Sequence, residues 1–324
     1  MGATSPPLTI WAVSDGRAGI EAQALGLAEA VARLRPAQVE VKRVAWRWGL
    51  GRLPWRMIPP CALVEPLGAP LPDIWIAAGR ATLPLSTRLK GRTFVVQTQD
   101  PRGAFGCFDL IVPPEHDGLT GPNVFPILGA PNRLTPAKLA GELAAFPQLA
   151  ALPGPRIAVI IGGKSKAHDL PPADAAALAD GVAAVVLGSG GSLLLSFTRR
   201  TPAAAREAMT ARLRDLPGLI WDDRPPNPYF AFLAAADAVL VTEDSTNLAT
   251  DAAATGKPLY VLPMAGHSAK LARFHAELAA RGVARPFEGR LATWTYPPLA
   301  ETDRAAAEVL RRYDAWLAQG RISA

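Results

Sequence analysis

The residues able to do chemistry sit in short polar clusters, each placed directly after an apolar run. Gly162-Gly163-Lys164-Ser165 follows the run 157–161. Two glycines let backbone N–H groups approach an anion, and Lys164 and Ser165 add a charge and a hydroxyl, which suits phosphate. The spacing is not that of the Gly-x-x-x-x-Gly-Lys-Ser/Thr loop, and a plain strand-to-helix turn would use the same glycines. Thr198-Arg199-Arg200-Thr201 is the second cluster. Paired guanidiniums fit a diphosphate, each charge-assisted bond contributing about 1.5–3 kcal/mol; a solvated surface pair is the bland reading. The third is Thr242-Glu243-Asp244-Ser245-Thr246, with Asp251 further on. Ser245 and Thr246 could cap a helix and also donate to phosphate.

The N-terminal half carries a different set: Ser14-Asp15-Gly16-Arg17, Arg80, Gln99-Asp100 and Glu115-His116-Asp117. These are acceptor-side candidates. Asp15 is the first nominee for a general base, with Glu115, His116 and Asp117 as the competing set. An Asx turn that orders its own loop would use Asp15 equally well. His116, His168, His267 and His275 lack metal-ligand spacing, so no metal is expected. No cofactor is expected beyond a nucleotide-sugar as donor substrate.

The elements that must hold these clusters are read from periodicity. Strands are expected over 8–13, 39–44, 73–78, 93–97 and 108–112, with helices over 22–34 and 81–90. After a Pro/Gly-rich break at 146–155 the alternation restarts. Strands fall over 157–161, 192–197, 219–221, 238–242 and 259–262, and helices over 174–186, 203–213, 229–236, 243–255 and 302–318. The expected fold class is α/β: two Rossmann-like domains with parallel sheets facing a ligand cleft. The expected domains are 1–146 on the acceptor side and 155–300 on the nucleotide side. A C-terminal helix, 301–324, is free to cross back. Ligands in such sheets lie outside the carboxyl ends of strands, where the polar clusters fall.

One stretch differs in kind. Trp46, Trp48 and Trp55 alternate with Arg52, Arg56 and other basic residues. Tryptophan favours a membrane interface and arginine pairs with anionic headgroups, although the same tryptophans could pack on the core. The 324 residues are 49% hydrophobic and 19% charged, with net charge +6. That composition excludes general disorder, and charge mixed through both halves argues against nucleic acid. Cys61 and Cys107 read as free thiols rather than a metal or redox pair. Met1 to Pro7 lacks a signal-peptide pattern, Pro6 spoils the myristoylation pattern beginning at Gly2, and no run approaches a membrane span. A cytoplasmic location, peripheral on the inner membrane, is expected. The sequence gives no oligomeric state.

The combination resembles the mitochondrial-fission family named after the plant elongated-mitochondria protein, in a bacterial member. The likeness is carried by Ser14-Asp15-Gly16-Arg17-Ala18-Gly19, Ala78-Gly79-Arg80, Gln97-Thr98-Gln99-Asp100-Pro101-Arg102, Pro114-Glu115-His116-Asp117-Gly118 and Gly121-Pro122-Asn123-Val124. In the second half it is carried by Ile161-Gly162-Gly163-Lys164-Ser165, Arg199-Arg200-Thr201-Pro202, Asn227-Pro228-Tyr229, Thr242-Glu243-Asp244-Ser245, Gly256-Lys257-Pro258 and Trp294-Thr295-Tyr296-Pro297-Pro298. That family is similar to GT-B glycosyltransferases. The resemblance implies a second half that holds the sugar nucleotide and a first half that holds the acceptor, a membrane lipid or envelope precursor. A nucleotide-sugar epimerase and a non-catalytic membrane adaptor are the alternatives. A more distant likeness, to the lipid II-forming N-acetylglucosaminyltransferase, sets Ser245-Thr246, then Asp251 on the ribose, then Ala254-Thr255-Gly256-Lys257-Pro258. Asp251 is shorter than the glutamate of that pattern, and Ser14-Asp15-Gly16-Arg17 replaces its glycine-rich first loop.

Overall fold

The computed structural model describes residues 6–320. The expectations for Met1, Gly2 and residues 321–324 lie outside the described residues. Two compact units are present: the first runs to Arg133 and resumes at Ala300, and the second is Leu134–Leu299.

The first unit is built on five parallel strands: β1 (Leu8–Ser14), β2 (Ala37–Arg43), β3 (Ile74–Ala77), β4 (Phe94–Gln97) and β5 (Leu110–Ile111), in the order β2-β1-β3-β4-β5. Strands buried on both faces read as continuous apolar runs, and β3 and β4 are buried at every position. Helix α1 (Ala18–Leu34) covers one face, where Leu27 and Val31 meet Ile10, Ile76 and Val96. The opposite face, around Trp11, Trp75 and Phe108, is covered by irregular chain and 3-10 turns.

The helix expected over 81–90 shrinks to a 3-10 turn and a single α turn, α2 (Leu83–Ser86). Pro84 lacks an N–H and is tolerated only in a first turn, so no helix runs through it from upstream.

The second unit begins earlier than the Pro/Gly-rich break. Helix α3 (Pro136–Ala144), which periodicity did not single out, is capped by the Thr135 hydroxyl accepting from Lys138 N at 3.0 Å. It packs on α6 (Tyr229–Ala235), with the Lys138 ammonium 4.6 Å above the Phe230 ring. That packing places the boundary at 133/134 rather than in 146–155.

Strands β6 (Arg156–Ile161), β8 (Ser192–Phe197), β9 (Gly218–Ile220), β10 (Ala238–Thr242), β11 (Leu259–Leu262) and β13 (Ala284–Pro286) form a parallel sheet in the order β13-β11-β10-β6-β8-β9. A small antiparallel pair, β7 (His168–Asp169) and β12 (Ala265–Gly266), stands apart. Helices α4 (Pro172–Ser189), α5 (Ala203–Leu213), α7 (Thr246–Ala253) and α8 (Ala269–Ala280) complete the unit. Helix α8 and β13 were not read from the sequence, although the Ser268 cap and the spacing of Leu271, Phe274 and Leu278 mark the helix. By length and composition α4 could cross a membrane, which sequence inspection missed. Here it lays Ala175, Ala179, Val182 and Val186 on the core.

The last element, α9 (Glu301–Ala318), returns to the first unit and packs beside α1. Val309, Tyr313 and Trp316 enter its core, and the Trp316 ring meets Phe94 edge-on. Glu301 anchors the start by accepting from Leu128 N at 2.9 Å, and Thr302 accepts from Asn132 N at 3.0 Å. Cys61 and Cys107 are free thiols.

Candidate functional site

In the second unit, β10, β6 and β8 are neighbours, so their carboxyl ends bring the three polar clusters side by side. The centre of this edge is Asp244. Its side chain has no exposed surface and lies 2.6 Å from the Arg200 guanidinium. It also accepts from Gly163 N at 3.1 Å and from the Thr242 hydroxyl at 2.7 Å, while that hydroxyl accepts from Gly162 N at 2.7 Å.

The two glycine N–H groups expected to cradle phosphate are thus occupied by the protein's own carboxylate and hydroxyl. The glycines serve close approach instead. A Cβ on Gly162 would stand 2.0 Å from Asp244 Oδ1, and one on Gly163 would stand 2.1 Å from the Arg200 carbonyl oxygen. Thr201 closes the arrangement by donating to Ile161 O at 3.0 Å and to Gly162 O.

Cationic groups remain at the rim. Arg200 is 42% exposed beyond its carboxylate brace. Arg199 is exposed and has no ion pair among the described residues. Lys164 pairs with Asp169 at 2.8 Å, which holds its amine above the ordinary lysine value. Ser165 is spent on its own loop, accepting from Ala167 N and His168 N. Thr198 likewise accepts from Arg200 N.

Ser245 caps α7 by accepting from Leu248 N at 3.4 Å, and Thr246 opens that helix half-buried. Glu243 turns away from the rim: its carboxylate accepts from Met264 N at 2.6 Å and its carbonyl meets His275 Nε2 at 2.9 Å. Burial pulls the His275 imidazole down. Asp251 accepts from the Tyr229 hydroxyl at 2.9 Å, and burial pushes its carboxyl up to about 7. Sequence reasoning did not give Tyr229 this role. The Gly256-Lys257 turn is structural. Lys257 donates to Leu233 O at 2.7 Å and to Ala234 O at the end of α6, and burial lowers its amine to about 8.

The acceptor-side candidates line the carboxyl edge of the first sheet. Asp15 accepts from Arg17 N at 3.2 Å and from Arg17 Nε at 2.8 Å, so the Asx turn is real; its side chain is 17% exposed. Buried Ser14 accepts from Gly16 N at 3.1 Å. Arg80 donates to Gly51 O at 3.3 Å, Gln99 to Gln23 Oε1 at 2.8 Å, and Asp100 accepts from Arg102 N at 2.7 Å. Glu115 lies 3.9 Å from Arg304. His116 and Asp117 pair at 3.6 Å with side chains only 4% and 7% exposed, so Asp15 and the more exposed Glu115 are the accessible carboxylates of the set. At the end of β4 the Gln97 amide and the Thr98 hydroxyl are fully buried without a hydrogen-bond partner among the described residues. Neither was singled out from sequence.

The aromatic-basic stretch divides. Trp46 donates its indole N–H to Ala81 O at 2.9 Å, and Trp55 packs on the core with Arg56 over its ring at 4.6 Å. Trp48 stands 81% exposed. Of the three tryptophans expected at a membrane, two are moorings for the loop, because their faces find protein partners.

The family model described as "Mitochondrial fission ELM1" matches residues 18–313. The mitochondrial fission protein ELM1 of Arabidopsis thaliana is 33% identical over 272 residues, covering 74% of this chain and 64% of the plant protein. The chain therefore spans less than two thirds of that relative's length. Among solved structures, the UDP-GlcNAc 2-epimerase of Methanocaldococcus jannaschii aligns with TM-score 0.54 at 9% identity, over 94% of this chain and all of that one. MurG of Acinetobacter baumannii aligns with TM-score 0.50 at 14% identity, over 94% and 100%. The fold is GT-B-like.

Proposed function

The chain belongs to the mitochondrial fission ELM1 family, and from its second unit we propose a glycosyltransferase-like protein that binds a nucleotide-activated sugar. The observation that carries this reading is the braced cation at the strand edge. Asp244, fully buried, holds Arg200 at the rim next to unpaired Arg199. A guanidinium held in place loses less freedom when it meets a diphosphate. Arg199, Arg200 and Lys164 would carry the charge of the departing diphosphate, with the α7 N-terminus and its Ser245 and Thr246 hydroxyls beside them. Asp251, steadied by Tyr229, would meet the ribose. Asp15 of the first unit would take the proton of an acceptor hydroxyl on a membrane lipid or envelope precursor. This chemistry asks for no metal, and the site would work at the cytoplasmic face of the inner membrane.

The test is calorimetry against UDP-, GDP-, CMP- and ADP-sugars. One of them should bind, and Arg199→Ala should weaken it by about 1.5–3 kcal/mol. No heat with any of them would reject the reading in favour of a non-catalytic adaptor. Nucleotide release only in the presence of an acceptor, lost in Asp15→Asn, supports transfer. Epimerisation without acceptor would assign the epimerase activity instead.

A further inference from the structure

We propose that the 3-10 turns at Arg47–Arg52 and Trp55–Met57 form a docking face for an anionic phospholipid bilayer, with Trp48 as the inserting anchor. The proposal deepens the lipid-acceptor part of the reading above, yet it concerns adsorption alone and needs no sugar nucleotide.

Three observations converge on this face. The first is where apolar surface is left uncovered. Seven large hydrophobic residues are exposed among the described ones, and five of them, Trp48, Met57, Leu53, Val64 and Val41, fall within 41–64. Scattered exposed apolar residues need no explanation, whereas their concentration in one segment does. The second is charge. Residues 41–64 contain five basic residues and no acidic one. Arg47 reaches Val64 O at 3.0 Å and Arg56 lies over Trp55, but none of Arg47, Arg52 and Arg56 forms an ion pair among the described residues. Elsewhere most arginines of the chain are paired to carboxylates. Lys42 and Arg43 pair with Glu40 and Glu21, and the three remaining arginines in the segment that exposes these apolar side chains complement anionic headgroups over acyl chains. An acidic protein partner would match the charge but offers no reason for an unsheltered tryptophan.

The third observation is backbone. Trp48 has φ 52° and ψ 27°, and Gly49 follows at φ 69°. A bulky residue rarely adopts the left-handed region, and here that conformation turns an indole outward into water, so both terms are unfavourable in solution. The segment holding it is firm. Trp46 is pinned to Ala81 O and bridged to Leu63, and Ile58 and Ala62 are buried. Trp48 is thus presented by a moored loop rather than left over by a loose one.

The experiment is flotation of the whole protein with vesicles of phosphatidylcholine alone and of phosphatidylcholine with phosphatidylglycerol, without nucleotide. The protein should float with the anionic vesicles, less so at high salt, and not with the neutral ones. Trp48→Ser should weaken partitioning about tenfold, as expected for losing a partly buried large apolar group. Arg52→Gln and Arg56→Gln should weaken it about fivefold each at low salt. Leu187→Ser, at another exposed large apolar residue, on α4, should leave it unchanged. All of these side chains are exposed, and unchanged melting of each variant separates docking from folding. Absence of flotation with anionic vesicles would overturn the proposal. So would flotation undiminished in Trp48→Ser, which would mean adsorption by charge alone. A vesicle-independent dimer abolished by Trp48→Ser would give the face to a second copy and equally overturn it. Failure of nucleotide binding leaves every one of these outcomes readable.

Discussion

Replacing Asp244 by alanine removes a carboxylate with no exposed side-chain surface. Three donors lose their acceptor: Gly163 N–H, the Thr242 hydroxyl and the Arg200 guanidinium. Arg200 is 42% exposed and can turn to water, so its loss contributes little. The other two stay buried, at about 1–3 kcal/mol for each unmet donor. The hydroxyl can rotate toward another acceptor, which sets the expected loss at about 2–4 kcal/mol. For a unit of this size each kcal/mol lowers Tm by about 2–4 °C. Two units can melt separately, so the assay should resolve them: scanning calorimetry together with amide hydrogen exchange. Asp244→Ala should lower only the transition of the second unit, by about 4–16 °C, and should strip protection from β6, β8 and β10. Arg200→Ala leaves the carboxylate buried with its remaining donors, and the double variant should lose less than the sum of the singles. A shift below about 2 °C, or equal loss of protection in both units, would refute the idea that this carboxylate organises the strand edge.

The other expectations are briefer. Burial pushes the Asp251 carboxyl up to about 7, well above the ordinary aspartate value. The folded chain therefore binds the extra proton, and stability should fall as pH rises from about 4 to about 7 by up to about 4 kcal/mol. Asp251→Asn should flatten that slope in urea titrations. Gly163→Ala drives a Cβ against a backbone carbonyl at 2.1 Å and should abolish cooperative melting of the second unit. Gly188→Ala meets nothing within 4 Å inside α4 and should be neutral or stabilising by about 1 kcal/mol. Trp316→Ala empties a core position, and the first unit should lose about 3–5 kcal/mol by denaturant titration.

The sequence by itself determined the two parallel sheets, because strands buried on both faces leave continuous apolar runs. The run 192–197 and the helix 203–213 coincide with β8 and α5. It also located the polar clusters at strand ends, since that position follows from chain order alone. Helices α3 and α8 carried their own signals in the caps Thr135 and Ser268, whereas the unit boundary depends on α3 packing against α6 and not on the proline content of 146–155.

Only the tertiary structure decided how each polar group is used. The glycine loop reads as an anion cradle until Asp244, 81 residues away from Gly163, is seen to accept from it. From sequence Asp15 could serve an acceptor hydroxyl or its own loop, and only the fold shows the Arg17 guanidinium resting on its carboxylate. Trp46, Trp48 and Trp55 are alike in sequence, and packing gives two of them protein partners and leaves one in water. Local pattern records which side chains a segment offers. Their hydrogen-bond partners come from distant segments, and a buried donor takes whichever acceptor the fold delivers to it.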